Sequence, residues 1–266
     1  MRFDAYAASI NGHELGHVAE CLSASLNGVV CRGNPMRRFS STLNIHTGHR
    51  TAAWVGQDAS TGAIYVEGKG DTSPELAKAL RAYFPEHSAP RIDVAEDYDG
   101  PEAFDALQRI VRANKGQRVK GGYVALPDDV QDGKTWAAGV RGGVGYLRLY
   151  EAGKHPDRVH LGRPHWVRAE LECRPHYSRD KRAAARMTPL EVFGMSAWTQ
   201  KVGEALTQVS IPRFEPEVRQ FSHDKTQRYV ALTFRRMFEQ MISDGEHIEA
   251  TIKQIWREDD DAKRRH

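Results

Sequence analysis

Arg91-Ile92-Asp93-Val94-Ala95-Glu96-Asp97 is the stretch on which the fold of this chain turns. A β-strand sends successive side chains to opposite faces. Ile92 and Val94 then share one face, while Arg91, Asp93 and Asp97 share the other. Three distant segments alternate in the same way: Arg2-Phe3-Asp4-Ala5-Tyr6, Tyr146-Leu147-Arg148-Leu149-Tyr150 and Trp166-Val167-Arg168-Ala169-Glu170-Leu171-Glu172. Joined in one sheet, the four present an apolar face for helices to cover. The opposite face collects Asp4, Tyr6, Arg91, Asp93, Asp97, Arg148, Tyr150, Arg168 and Glu170. A solvated sheet face normally mixes Lys, Glu and Thr. Carboxylates, guanidinium groups and phenols together are what metal-assisted phosphodiester chemistry needs.

Outward from these strands, turn and capping signals set the remaining elements. A strand over 2–8 leads to a helix over 12–26 with Asn11 as N-cap and Asn27-Gly28 as its stop. Residues 29–39 read as a basic loop, and 42–46, 51–57 and 63–67 as a strand meander. Ser73-Pro74-Glu75 opens a helix to Phe84, and Gly100-Pro101-Glu102 opens another to Asn114. Residues 115–143 form a loop with one short strand near 135–140, before strands at 144–151 and 164–173. From Asp180 the pattern is helical, over 188–209, 222–243 and 247–257, ending in the charge run of 259–266. The expected fold is α+β: an antiparallel sheet with helices on one face, arranged as a ferredoxin-like unit used twice, plus C-terminal helices. The expected boundary separates a sheet domain, 1–180, from a helical part, 181–266, packed on it.

Composition sets outer bounds. The chain has 266 residues, 27% charged and 40% hydrophobic, an ordinary soluble balance. No stretch approaches the roughly 20 apolar residues of a membrane span. The net charge of +3 permits nucleic-acid binding without demanding it. Cys21, Cys31 and Cys173 form no CxxC and no paired framework, which fits a reducing compartment. With no secretory signal pattern at its start, the chain is expected in the cytoplasm of a bacterial host.

The loudest short motif is His13-Glu14-Leu15-Gly16-His17, an HExxH match to helical zinc sites. A zinc metalloprotease is therefore one reading. At about 100° per residue, however, Leu15, Val18, Ala19, Leu22 and Leu26 define the buried helix face, with both histidines on the solvent side. Only twelve residues precede the motif, and no third ligand follows in the usual place.

The RxDxAxD pattern of Arg91, Asp93, Ala95 and Asp97 resembles the replication initiation factor family of rolling-circle plasmids and filamentous-type phages. Tyr146-Leu147-Arg148-Leu149-Tyr150-Glu151 is similar to that family's RxYxK strand, and Trp166-Val167-Arg168-Ala169-Glu170-Leu171 to its WxRxEL strand. Arg2-Phe3-Asp4-Ala5-Tyr6 resembles its first strand, and Pro189-Leu190-Glu191-Val192-Phe193-Gly194 with Trp198 a following helix. Two positions depart: Ala152 stands where the family has Lys, and Ala137 where a Tyr is common.

The resemblance implies a relaxase-like initiator that nicks one origin strand through a tyrosine, works with Mg²⁺ or Mn²⁺, and partners with single- and double-stranded origin DNA, a host helicase and a second copy of itself. The implied metal ligands are Asp4, Asp93, Asp97 and Glu170. Cross-strand Arg–carboxylate pairing is the competing reading of the same spacing, and Asp97 could instead cap the next helix. Candidate nucleophiles are Tyr150, Tyr177 and Tyr6. Arg91, Arg141, Arg148, Lys154, Arg163 and Arg168 are candidate phosphate contacts, with His165 and Trp166 beside unpaired bases. An origin-binding protein of the same fold that does not cut DNA is the alternative within this family.

Overall fold

The computed structural model describes residues 1–34, 38–124, 133–216, 233–243 and 245. Among these, ten strands form a single sheet: β1 (Arg2–Ile10), β2 (Val29–Arg32), β3 (Phe39–Thr47), β4 (Arg50–Asp58), β5 (Ile64–Lys69), β6 (Ser88–Asp99), β7 (Gly121–Tyr123), β8 (Thr135–Gly139), β9 (Tyr146–Tyr150) and β10 (Trp166–Cys173). Their order is β2-β3-β4-β5-β1-β6-β10-β9-β8-β7, and the pairings are antiparallel. The four alternating segments are thus the adjacent central strands β1, β6, β10 and β9.

The order is palindromic in topology. From β1, the chain runs through α1 (Leu15–Leu26), the meander β2 to β5, and α2 (Ser73–Tyr83). From β6, it repeats the course through α3 (Ala103–Asn114), the meander β7 to β10, and α4 (Ser178–Ala184). Each half has five strands and two helices, where the expected ferredoxin-like unit has four strands, and β1 paired with β6 forms the seam. The seam strands also carry a like triplet, Arg2-Phe3-Asp4 at the start of β1 and Arg91-Ile92-Asp93 inside β6. The outermost strands, β2 and β7, are only four and three residues long. Short edges limit unwanted strand pairing, and they carry too little alternation to stand out in the sequence.

One hydrophobic cluster lies under the sheet. It joins Ile92, Val94, Val167, Leu171, Leu147 and Leu149 from the central strands to Val18 and Leu22 of α1, Leu76 and Leu80 of α2, and Phe104 and Val111 of α3. Ala184 of α4, Val192 of α5 (Pro189–Val192) and Val202 of α6 (Ala197–Thr207) complete it. Helix α1 starts at Leu15 with Glu14 in the cap position, so it is three residues shorter than the capping signals suggest. The expected helix over 188–209 divides into α5 and α6, each opened by a capping box, Thr188 with Glu191 and Ser196 with Thr199.

Met1–Glu217 form one compact unit and Val218–His266 a second. The first runs past residue 180 because α4 packs on β6, and α5 on β1 and β6. In the second, α7 (Arg235–Ser243) is described, with Arg235 Nε 2.7 Å from a Glu239 carboxylate oxygen. The expected helix over 247–257, the start of that over 222–243, and the charge run of 259–266 lie outside the described residues. Among the described residues, no helix is long and apolar enough to cross a membrane.

Candidate functional site

The face of β1, β6, β10 and β9 away from the helices holds a buried ionic network. Side chains two apart on a strand, or opposite across a pair, point the same way. Arg168 pairs with Tyr150 on one side and Asp97 on the other, and Glu170 with Arg148 and Ala95. Arg168 is 3% exposed and bridges two carboxylates: its Nη1 donates to Asp4 at 2.8 Å, its Nε and Nη2 to Asp97 at 2.7 and 3.0 Å. Trp166 Nε1 donates to the same Asp97 at 2.8 Å. Arg91 holds Asp93 through two donors, one at 2.9 Å, and lies 3.5 Å from both Glu172 and Glu67. Arg148 donates to Glu170, and Arg174 holds Glu172 at 2.8 Å.

Burial and like charge act against this concentration of carboxylates. Desolvation, with Glu170 and Glu172 nearby, pushes Asp93 up to about 6 despite its Arg91 partner. Burial also raises Asp4, against the pull of Arg168. At Asp97 burial pushes the same way, but the hydrogen bonds from Arg168 and Trp166 outweigh it and the carboxyl is lowered.

The structure brings Tyr150 into this network. Its hydroxyl donates to Glu170 Oε2 at 3.0 Å. Burial, reinforced by the Glu170 charge, pushes the phenol up to about 12. Arg158 lies over the Tyr150 ring at 5.9 Å and over the Trp166 ring at 5.1 Å, and Arg163 covers Trp166 at 4.8 Å. The segment carrying these arginines is held down at Gly153, where a Cβ would stand 1.8 Å from Arg163 O; only glycine permits that approach.

Tyr6 is not in the network, contrary to its expected place beside Asp4. A register irregularity between Phe3 and Ala5 shifts the alternation by one residue, so Phe3 and Tyr6 share the helix face. Tyr6 is fully buried; its hydroxyl donates to Ala185 O at 3.1 Å and pairs with His87 Nε2 at 2.8 Å. Tyr177 is the residue before α4, past the end of β10, with no hydrogen bond to the carboxylates among the described residues. Among the phosphate candidates, Arg91, Arg148 and Arg168 are part of the network itself. Lys154 pairs with Glu151 at 3.0 Å and Arg163 with Asp99 at 3.0 Å, at the rim. Arg141 and His165 are exposed, and Trp166 is buried against Asp97. Glu172 belongs to the cluster although sequence reasoning passed over it; the signal was its place two residues after Glu170, on the same face.

The oxygen donors of Asp4, Asp93, Asp97 and Glu170 are of the kind Mg²⁺ or Mn²⁺ takes. Their arrangement does not fit such an ion, because each is bound to a guanidinium group. Among the described residues, no three His, Cys, Asp or Glu side chains are grouped to hold a metal. The same holds for HExxH. His13 precedes α1, stacks on His17 with ring centres 5.9 Å apart, and meets Phe84 edge-on.

Comparison with family models gave no match, and comparison with curated proteins gave none either. Among solved structures, the chain is similar to a rolling circle replication initiator protein from Geobacillus stearothermophilus. The TM-score is 0.51 with 16% identity, covering 83% of this chain and 88% of that one. The two share a fold.

Proposed function

We propose that this chain is a replication initiator of the rolling-circle type that nicks one DNA strand, with Tyr150 as nucleophile and Glu170 as its proton acceptor. The observation that carries the reading is the 3.0 Å hydrogen bond from the Tyr150 hydroxyl to Glu170 Oε2, on the polar face of a sheet shared with a known initiator. A phenol held near 12 is protonated at neutral pH, so it attacks only if a neighbour takes its proton. Tyr150 Oη bonds to phosphorus and its proton passes to Glu170. The bond from phosphorus to the 3′ oxygen breaks, and that oxygen leaves as a hydroxyl after taking a proton from water. The 5′ phosphate stays on Tyr150. Arg158, over the Tyr150 ring at 5.9 Å, and the part-exposed Arg148 face the developing phosphate charge. The origin, a host helicase and a second copy of the chain are the partners this reading brings with it.

The test is to incubate the protein with supercoiled DNA of its own replicon, with and without Mn²⁺. The expected product is a nicked circle carrying covalent protein, with the nucleotide adduct mapped by mass spectrometry to Tyr150. An adduct on another residue, or nicking that persists in Tyr150→Phe, overturns the assignment. The pairing of Glu170 with Arg148 as well as Tyr150 favours a second reading, an origin-binding protein that does not cut. Sequence-specific binding without nicking in either arm would establish it.

A further inference from the structure

The half of the sheet formed by β3, β4 and β5 carries an open cavity of about 630 Å³ that the proposed reaction does not use. That size is in the range of small-ligand sites. Its floor is aromatic. Phe39 and Trp54 meet edge to face with ring centres 4.7 Å apart, and Tyr65 lies 5.9 Å from Trp54 and 6.1 Å from Phe39. The indole lies across Gly56, where a Cβ would stand 2.5 Å from Trp54 Cη2 and 2.9 Å from Phe39 Cδ1. The missing side chain lets these rings close over the strand. All three rings are half-buried, neither packed away in the core nor fully exposed.

The rim is cationic. Arg38, Lys69, Arg91 and Arg174 line the cavity, against Glu67 as the one carboxylate among the described residues there. Arg38 pairs with Asp58 at 2.7 Å and Lys69 with Glu67 at 3.1 Å, yet their side chains are 74% and 67% exposed, and Arg38 lies over the Phe39 ring at 5.7 Å, so both keep donors open to solvent at the rim. An aromatic floor alone would suit a quaternary ammonium group or a base. Four cations at the rim oppose the first and attract phosphates. The cavity is also continuous with the ionic network. Tyr65 donates to Glu67 at 3.4 Å, and Glu67 lies 3.5 Å from Arg91, which holds Asp93. From β5 to β9 is four strand spacings, about 19 Å at ~4.8 Å each, a span that a few nucleotides of extended strand can cover.

We propose that Phe39, Trp54 and Tyr65, ringed by Arg38 and Lys69, form a binding pocket for an unpaired base of single-stranded DNA, its phosphates on the rim. The inference rests on the proposed function, since it takes DNA as the ligand. It is tested with the full chain, using fluorescein-labelled oligo-dT of 20 nucleotides and a mixed-sequence duplex as separate probes, by anisotropy at fixed salt. Stacking on one aromatic ring is worth roughly 5- to 100-fold in affinity. Trp54→Ala is expected to weaken single-strand binding by that factor, Trp54→Phe to restore most of it, and duplex binding to stay within about threefold. Lys69→Gln, which removes the exposed charge beside Glu67 without setting a second carboxylate there, is expected to weaken the same probe and flatten its salt dependence. Wild-type protein that binds neither probe overturns the proposed function and the pocket together. Wild-type single-strand binding that Trp54→Ala and Lys69→Gln both leave unchanged overturns the pocket alone.

Discussion

The halves of the sheet on either side of the β1–β6 seam follow the same course, yet their polar faces hold different chemistry. Both seam strands carry arginine, an apolar residue and aspartate in a row, Arg2-Phe3-Asp4 and Arg91-Ile92-Asp93. Beyond the seam they part. β9 and β10 add Arg148, Tyr150, Arg168 and Glu170, which close into an ionic network around one phenol. β4 and β5 add Trp54, Tyr65 and Glu67, which leave an open aromatic hollow. The fold fixes where side chains point; the residues set at those points decide whether a half can do chemistry or only hold a ligand.

The sharpest way to break that contrast is Tyr150→Phe. It removes one oxygen from the β9–β10 half and nothing from the other. Nicking should fall by at least ~10³-fold, as expected when a nucleophile is deleted, while single-strand affinity stays within about threefold. Equal loss of both in a gel-based nicking assay and an anisotropy titration would mean that the halves do not divide the work. Glu170→Gln should follow with a loss of about 10²- to 10⁴-fold, the usual worth of a general base. Residual activity in that variant should climb with pH, because solvent hydroxide then takes the proton that Glu170 no longer accepts. A flat profile from pH 6 to 9 would remove Glu170 from the role.

Arg168→Ala acts on stability. It leaves Asp4 and Asp97 facing each other in a half-buried site, with Arg2 at 4.0 and 3.6 Å as the cation they still share. Stranding a fully buried charge costs about 3–5 kcal/mol; with Arg2 and partial exposure compensating, the expected cost is about 2–3 kcal/mol, or roughly 6 °C in Tm for a unit of this size. A shift under about 3 °C by calorimetry would mean the network relaxes or hydrates easily.

Much of this is legible in the chain, for a physical reason. Strand alternation has a period of two, so spacing alone places Asp93, Asp97, Arg168, Glu170, Arg148 and Tyr150 on one face. The same rule misplaces Tyr6, because a register shift at Asp4 turns the strand by one residue, and no side chain in Arg2-Phe3-Asp4-Ala5-Tyr6 announces it. The rule says which face a carboxylate lies on but not what it binds there, so guanidinium pairing and metal binding are separated only by distances. The aromatic hollow escapes it for a related reason. Trp54 and Tyr65 alternate with Ala53, Val55, Ile64 and Val66, and a strand that is apolar on both faces reads as core.

The smallest of these effects compares the two seam aspartates. Asp93 is raised from 3.8 to about 6, so the folded chain binds its proton more tightly than the unfolded chain does. Between about pH 4 and 6 the unfolded state has released that proton while the folded state keeps it, so the Asp93 contribution to stability falls as pH rises through this window and is flat above it. Asp97 and Glu172 are lowered and act in the opposite sense: their contribution is present above the ordinary carboxylate range and is lost as pH falls below it. The difference between wild type and Asp93→Asn isolates the first term. Thermal melts from pH 4 to 7 should show the variant gaining on wild type by on the order of 2–3 kcal/mol, whatever constant offset follows from loss of the Arg91 pair. Asp4→Asn should move in the same direction by less, since the Asp4 side chain keeps 14% exposure against 2% for Asp93. A wild-type minus Asp93→Asn difference that does not change with pH would mean that water or Arg91 already neutralises the site. Equal slopes for the two asparagine variants would mean that the halves differ in what they carry but not in how deeply the seam buries charge.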